Sequence, residues 1–179
     1  VDDNIKIKAF EADALYAGIN IDTDGFNSKS GPRTFEAAAF LRRHGADVTR
    51  VRKMLRNDMD EYKAVAHAGS RAEVYRDAFA IAIFNGEGLE SPTIGGAKAA
   101  NQLLDISGIK ASFVITEYNE KIYISARSID EVNVQLVMEK LGGGGHMSIA
   151  GAQLTGCTVK EAVDTIKETL DNMLAEGEI

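Results

Sequence analysis

The sequence predicts a protein of the α/β (α+β) class in two parts, a block of helices followed by a small mixed sheet with helices. Up to about residue 75, apolar residues recur at helical spacing between loops. From residue 76, short runs rich in Val, Ile, Phe and Tyr alternate with capped helical segments. With 179 residues, of which 45% are hydrophobic and 26% charged, the chain is long enough for two small cores. We therefore predict domains at residues 1–75 and 76–179.

The first block is predicted to contain helices and loops only. Apolar spacing indicates a helix from Ile5 to Ala17, after which the chain is expected to form a loop. A second helix is predicted to begin at Thr34 and to end at Gly45, because glycine suits the left-handed position that follows a helix. Two further helices are predicted from their N-cap residues, Asp47 and Asp58.

The second block is predicted to form a mixed or antiparallel sheet with helices on one face. Strand-forming residues alternate in residues 111–128, and Asn119-Glu120 in the middle predicts a β-hairpin. Asn133 is a predicted N-cap, and Thr158 begins a capping box that opens the last helix. The remaining predicted elements are strands at residues 77–84 and 149–154 and a helix within residues 91–108.

Composition limits the classes of protein that the sequence can encode. The longest apolar run, Ala78 to Phe84, is far shorter than the roughly 20 residues of a membrane-spanning helix. The single cysteine, Cys157, excludes an internal disulfide and fits a reducing compartment. We therefore expect a cytoplasmic location for this chain.

Charge is unevenly distributed along the chain. The net charge of -7 argues against a protein that coats nucleic acid, yet the segment from Lys29 to Arg56 has eight basic and two acidic residues. Two interpretations stay open. The basic residues are solvated helix faces, with Arg42 and Arg43 complementing the C-terminal end of a helix dipole, or they form a surface that attracts anions.

Four consecutive glycines, Gly142 to Gly145, precede His146. A flexible linker is one interpretation, but the run lies between a predicted helix and a predicted strand of one unit. A helix C-cap is the second, although capping needs only one or two glycines. The third, which we favour, is a backbone cradle whose successive N–H groups bind phosphate, with His146 at its rim. On this interpretation Gly144 has a positive φ, and a valine there would obstruct the ligand.

Residues around the glycines resemble a known protein family. The stretch ISARSIDEVNVQLVMEKLGGGGHMSIAGAQL is similar to the DHH-associated domain of DHH-superfamily phosphoesterases. In detail it resembles the cyclic-di-AMP phosphodiesterase of the GdpP type, through Arg127-Ser128, residues 131–134, the glycine run and His146. Residues 11–47 resemble the C-terminal part of the catalytic DHH domain. The resemblance implies that residues 1–75 are the helical end of a DHH domain, and that residues 76–179 are a mixed-sheet DHH-associated domain that binds substrate or nucleic acid.

The resemblance also implies roles for individual residues. Asp22 matches an aspartate that binds the catalytic divalent ions, usually Mn²⁺, for which oxygen ligands are suited. Its local sequence alone, Asp-Thr-Asp-Gly, is equally typical of a turn. Arg127 matches an arginine that points at the substrate, and the glycines with His146 match residues that hold phosphate or nucleotide. The predicted substrate-binding residues are Arg127, Gly143, Gly144, Gly145 and His146, and the predicted metal ligand is Asp22.

The chain departs from the family pattern in one decisive respect. It has three histidines, His44, His67 and His146, and no Asp-His-His triplet. Two-metal hydrolysis needs several carboxylates and histidines, so Asp22 cannot hold two ions alone. We expect a C-terminal fragment of a larger enzyme, inactive by itself, and Val1 in place of an initiator methionine agrees with this. A smaller departure is Ile149 at a position where many relatives have alanine.

The expected function of the intact protein is therefore metal-dependent hydrolysis of cyclic di-AMP to linear diadenylate, with this part holding the nucleotide phosphates. An oligoribonuclease or bisphosphate-nucleotide phosphatase of the same superfamily, a non-catalytic nucleotide-binding module and a structural oligomerisation domain are the alternatives. The expected partners are a cyclic dinucleotide or short oligonucleotide, the N-terminal half of the DHH domain, and a second copy in a homodimer. The resemblance also implies that the parent protein carries membrane and sensory segments.

Overall fold

The computed structural model describes residues 6–129 and 131–179, which divide into two units after Asn57. Each unit has its own hydrophobic core. The start of the first predicted helix at Ile5 lies outside the described residues. None of the helices in these ranges is long and apolar enough to cross a lipid bilayer.

The first unit consists of helices α1 (Ala9–Asp22), α2 (Pro32–Arg43) and α3 (Val48–Met54). Its core is small and includes Ala12 and Phe40. Asp47 caps α3, as predicted, by accepting hydrogen bonds from the backbone N–H groups of Thr49 and Arg50. Helix α1 extends beyond the predicted end at Ala17, so the expected loop begins later. The buried Asp13 on α1 accepts hydrogen bonds from the backbone of Asp47 and from Arg50, which ties α1 to α3.

The second unit is built around one six-stranded mixed sheet. Its elements are α4 (Met59–Ser70), β1 (Glu73–Tyr75), β2 (Phe79–Phe84), α5 (Pro92–Leu103), β3 (Ala111–Tyr118), β4 (Lys121–Ser128), α6 (Val134–Lys140), β5 (Gly144–Gly145), β6 (Ile149–Thr155) and α7 (Val159–Glu176). The strand order is β1-β2-β3-β4-β6-β5, in which β2 and β3 are parallel and all other neighbours antiparallel. The predicted fold class is confirmed, whereas the short strands β1 and β5 were not predicted.

Helices cover both faces of this sheet, so the prediction of helices on one face is wrong. In β2, Phe79 and Ile81 belong to the core formed with α6 and α7. Ala80 and Phe84 of the same strand point the other way and pack with α4 and α5. The residues of β3 from Ala111 to Thr116 are all buried. A continuous apolar run of this kind is typical of a strand covered on both sides, and it was the signal for two layers of helices.

The predicted boundary between residues 75 and 76 falls inside the second unit, in the turn between β1 and β2. Helix α4 lies before that boundary, yet its Ala68 is buried in the same core as α5 and β2. Arg76 and Asp77 form the turn with φ of 50° and 57°. The second compact unit therefore begins at Asp58, about one helix before the boundary that the change in sequence pattern suggested.

Candidate functional site

Arg127 and His146 lie at the same end of the sheet and on the same face. Arg127 on β4 is paired with Ile149 on β6. The backbone N–H of His146 donates to the Ile149 carbonyl at 2.7 Å, and the Ile149 N–H donates back to His146 at 3.2 Å. Directly opposite residues of antiparallel strands point to the same face. The register therefore aligns Arg127 on β4, Ile149 on β6 and His146, the residue that follows β5.

Helices cover the face that carries these residues only in part. Helix α4 packs on β2, and α5 packs on β2, β3 and the neighbouring β4, but the buried core on that side includes no residue of β4 or β6. On the opposite face, Ile122, Ile124 and Ala126 of β4 are buried under α6 and α7. We use the term open face for the surface, exposed or half-exposed, that is formed by Tyr123, Ser125, Arg127, Gly144, His146, Ile149, Gly151 and Gln153.

Two hydrogen bonds hold the guanidinium of Arg127. Its Nε donates to Asn101 Oδ1 on α5 at 2.9 Å, and its Nη1 donates to the Ala126 carbonyl at 2.9 Å. Burial lowers the pKa of Arg127, but the pKa of an arginine is ordinarily so high that the side chain stays charged at neutral pH. The open face therefore carries a cation that neutral groups hold in place.

The N–H groups of Gly142, Gly143 and His146, which the predicted nest would use, are bonded within the protein. Gly142 follows α6 with φ of +76°, and its N–H donates to Glu139. The N–H of Gly143 donates to the Met138 carbonyl at 2.8 Å, which completes the helix end. The His146 N–H is bonded to Ile149, as described above. Because these amide groups are satisfied within the protein, they are not available together for one anion.

Gly143 and Gly145 are required by the close approach of β6, while Gly144 is not. A Cβ atom at Gly143 would lie 2.2 Å from the Gly151 carbonyl oxygen, and one at Gly145 would lie 2.5 Å from Ala150 Cα. A Cβ atom at Gly144 would meet nothing within 4 Å, and its φ is not in the left-handed region. The expected positive φ at Gly144 is therefore wrong. Its missing side chain leaves free space on the open face, beside His146.

The structure places Asp22 in the first unit, as the last residue of α1 and not in a loop. Its side chain is 77% exposed, and Lys29 Nζ lies 3.9 Å from its Oδ1. The next residue, Thr23, is buried and begins a tight turn by accepting the N–H of Phe26. No three His, Cys, Asp or Glu side chains gather into a metal site in the part of the chain that the structure describes. Asp22 can contribute one oxygen ligand, but this set does not fit two metal ions.

A cavity of about 590 Å³ lies at the other end of the sheet, where β2 and β3 end. It contains none of the predicted site residues. Three carboxylates, Glu87, Glu117 and Glu120, line it together with Ile83 and Tyr118, and no lysine or arginine does. Because carboxylates repel a phosphate, this cavity is the less suitable of the two surfaces for an anion.

The comparison with protein families decides what kind of domain carries the open face. The DHHA1 domain family matches residues 79–176, which is more than half of the chain. The chain belongs to the DHHA1 domain family. The resemblance inferred from Arg127, the glycine run and His146 is thereby confirmed at the level of the family.

Relatives of this DHHA1 protein carry phosphodiesterase names. The cyclic-di-AMP phosphodiesterase GdpP of Bacillus subtilis is 41% identical over 175 residues, covering 97% of this chain and 27% of the relative. The cyclic-di-AMP phosphodiesterase PdeA of Listeria monocytogenes is 41% identical over 167 residues, covering 93% of this chain and 25% of the relative. The chain thus spans about a quarter of the length of these proteins.

The fold of the DHHA1 protein is shared with a solved structure, an exopolyphosphatase-related protein from Bacteroides fragilis. The TM-score is 0.81 at 23% sequence identity, and the likeness covers 93% of this chain and 51% of the other. At this identity the likeness concerns the fold only. It agrees with the assignment to a mixed α/β class.

Sequence reasoning missed Asn101, which contacts Arg127. The two residues are separated by 26 positions, and Asn101 lies on an exposed side of α5 with an ordinary helical context. No local motif marks such a residue. The antiparallel pairing of β4 with β6 likewise brings Tyr123 and Gln153 onto the open face, and only the register reveals this.

Proposed function

We propose that this chain is the C-terminal part of a metal-dependent phosphodiesterase that hydrolyses cyclic di-AMP to linear diadenylate, and that its open face holds the nucleotide phosphates. The observation that carries the proposal is the alignment of Arg127 and His146 beside the free space at Gly144. The names of the relatives supply the substrate class.

The chemistry of these side chains suits a phosphodiester. An arginine guanidinium donates paired hydrogen bonds to phosphate oxygens, and they are stronger than hydrogen bonds between neutral groups. A histidine ring donates a further hydrogen bond at the rim. The absence of a side chain at Gly144 lets the phosphate approach the backbone. These groups bind and orient the substrate, which reduces the entropy that is lost in reaching the reactive geometry.

The hydrolytic step would need more metal ligands than residues 6–129 and 131–179 bring together. Two divalent ions, which we propose to be Mn²⁺, would supply an activated water and stabilise the leaving oxygen. Asp22 would provide one of their ligands, and the other ligands would come from the N-terminal half of the DHH domain. We therefore propose that this chain alone binds nucleotide and does not hydrolyse it.

Exposed apolar side chains on α1 support the proposal that another domain packs against the first unit. Phe10 and Ile21 are each 66% exposed, and Leu15 is also exposed, and apolar side chains exposed together on one helix are typical of an interaction surface. We propose that the N-terminal half of the DHH domain covers this surface and that residues 1–75 complete that domain. We further propose a cytoplasmic location for both domains and leave the homodimer as a prediction.

A nucleotide-binding module without catalytic function is the second candidate. The observation that favours it is the lack of a three-residue metal cluster among residues 6–129 and 131–179. On this proposal the open face would bind nucleotides in the same way. Hydrolysis would then be absent even when the rest of the DHH domain is present.

Calorimetric titration of the 179-residue protein tests the proposal. We expect binding of cyclic di-AMP and linear diadenylate without added Mn²⁺, and no hydrolysis. Arg127→Ala should weaken binding at least about tenfold, because it removes a charge-assisted contact. Arg71→Ala, which removes an exposed arginine at the end of α4, is the matched control and should not change the affinity.

Three results would count against the proposal. Equal affinity in wild type and Arg127→Ala would exclude the open face as the binding site. Preference for a short oligoribonucleotide over cyclic di-AMP would point to the oligoribonuclease function. Inactivity of a longer protein that includes the complete DHH domain, with nucleotide binding retained, would favour the binding module.

A further inference from the structure

We propose that Asn101 is a positioning residue that holds the guanidinium of Arg127 in the orientation that receives the substrate phosphate. This inference rests on the proposed function of the open face. Its basis is the hydrogen bond of 2.9 Å from Arg127 Nε to Asn101 Oδ1, across 26 positions of sequence, from β4 to α5.

The contacts of Arg127 restrict which edge of the guanidinium is free. Asn101 occupies Nε, and the Ala126 carbonyl accepts from Nη1. Among the described residues Nη2 has no hydrogen-bond partner, so it keeps two N–H groups for a ligand. Arginine has five N–H donors in one plane, and fixing two of them fixes the direction of the other three. A phosphate can therefore pair with the outer end of the group.

Arg127 differs from Arg50 and Arg76 because its side-chain partner, Asn101, is uncharged. Arg50 is paired with the carboxylate of Asp13, and Arg76 is paired through two hydrogen bonds with Asp171. Their charge is balanced inside the protein. Arg127 is held by an amide and a carbonyl, so its positive charge remains available to an anion. An acidic residue in place of Asn101 would keep the hydrogen bond but would compete with the phosphate.

Pre-organisation is the physical benefit of this contact. A free arginine side chain loses rotamer freedom when it binds a ligand, which weakens the affinity. Holding the group before binding removes part of that loss. Asn101 lies on an exposed face of α5, so its replacement by alanine removes the contact without opening a cavity.

The test compares Asn101→Ala with Gln102→Ala, the next residue on the same helix and also exposed. Titration with linear diadenylate should show a loss of about three- to tenfold in affinity for Asn101→Ala and none for Gln102→Ala. Thermal unfolding should be the same in both variants. In the Arg127→Ala background, Asn101→Ala should have no further effect, because contacting residues are coupled.

A spectroscopic measurement separates positioning from binding. The ¹⁵N–¹H signal of Arg127 Nε should exchange slowly with water in the wild type and in Asn101→Asp, and rapidly in Asn101→Ala. Asn101→Asp should nevertheless bind diadenylate more weakly, because its carboxylate offsets the charge of Arg127.

The possible failures are distinguishable. An unchanged Nε signal in Asn101→Ala would overturn the inference whether or not nucleotide binds. Equal losses from Asn101→Ala in the presence and absence of Arg127 would overturn it as well. A wild-type protein that binds no nucleotide, with the Nε signal behaving as expected, would overturn the proposed function and with it the role of Asn101 in binding.

Discussion

Alternate residues of β4 point to two faces of the sheet that differ in burial. Ile122, Ile124 and Ala126 are buried against α6 and α7. Tyr123, Ser125 and Arg127, which alternate with them, stay half-exposed on the open face. The difference arises because α5 lies over β2, β3 and the neighbouring part of β4, where Asn101 contacts Arg127, while the buried core on that side contains no residue of β4 or β6. One face therefore provides stability, and the other is free to bind a ligand.

The position of the open face is determined by the core on the opposite side of the same strands. The packed face is the side of the sheet that is buried against α6 and α7, and it includes Ile122, Ile124 and Ala126. It fixes the register of β4, β6 and β5, and the register then determines which residues share the open face. Arg127 and His146 need no direct contact with each other to be aligned. Their relative position depends on the core beneath them.

Truncation of the packed face should give the largest effect on stability. Leu170 on α7 is fully buried in this core. Leu170→Ala should lower the free energy of unfolding by about 2–5 kcal/mol, because it removes buried methyl groups and leaves a cavity. Ile149→Ala on the open face is the control and should cost less than about 1.5 kcal/mol, since Ile149 is partly solvated. Urea denaturation followed by circular dichroism measures both, and equal losses would contradict the distinction between the faces.

Two glycines of the same run, Gly145 and Gly144, differ in whether a side chain would fit. Gly145→Ala places a Cβ atom against Ala150 at a φ of +149°, so it should lower the stability by about 1–3 kcal/mol. Gly144→Ala meets open space and should change the stability by less than about 1 kcal/mol.

Gly145 is expected to matter more for stability, whereas Gly144 is expected to matter for ligand binding. Gly144→Val should weaken the binding of linear diadenylate while the protein remains folded, because the side chain fills the space beside His146. A loss of stability at Gly144 equal to that at Gly145 would show that the run serves strand packing alone. Unchanged nucleotide affinity in Gly144→Val would remove Gly144 from the binding site.

Local chemistry was predictable from the sequence. The caps at Asp47 and Asp58 form as expected, and so does the capping box of Thr158 with Glu161. The β3–β4 hairpin turns at Asn119 and Glu120, both with positive φ. Each of these features depends on residues within a few positions of one another, so the sequence contains all the information that they need.

Features that depend on distant pairing were not predictable. Four glycines suggested one common purpose, but Gly142 ends a helix while Gly143 and Gly145 accommodate β6. The latter requirement arises from Gly151 and Ala150, which are close in space because of strand pairing. The link between Asn101 and Arg127 also depends on how α5 crosses the sheet. Motif recognition singled out Arg127, Gly144 and His146 without revealing how they are held.

His146 tests the open face with a smaller effect. His146→Ala should weaken nucleotide binding by about tenfold through the loss of a hydrogen bond to a charged group. The fold should be unchanged, because the contacts that place this residue are made by its backbone. His67→Ala, an exposed histidine of α4, serves as the control in the same titration. Full affinity in His146→Ala would leave Arg127 as the principal contact.

Protonation of Asp171 should give the smallest effect, and it concerns how α7 is attached on the packed face. Arg76 and Tyr75 donate hydrogen bonds to Asp171, and they lower its pKa in the folded protein, the bond from Arg76 contributing most. Because the folded pKa lies below the unfolded value of about 3.9, the stabilisation is present above that value and is lost as the pH falls through the folded pKa. Asp171→Asn should therefore melt at a lower temperature than wild type at pH 7, and the difference should shrink below about pH 4. Asp164→Asn, an exposed aspartate on the same helix, should show no such pH-dependent difference. If the difference in melting temperature between wild type and Asp171→Asn persists in strong acid, the attachment of α7 depends on hydrogen bonding at this position and not on the charge.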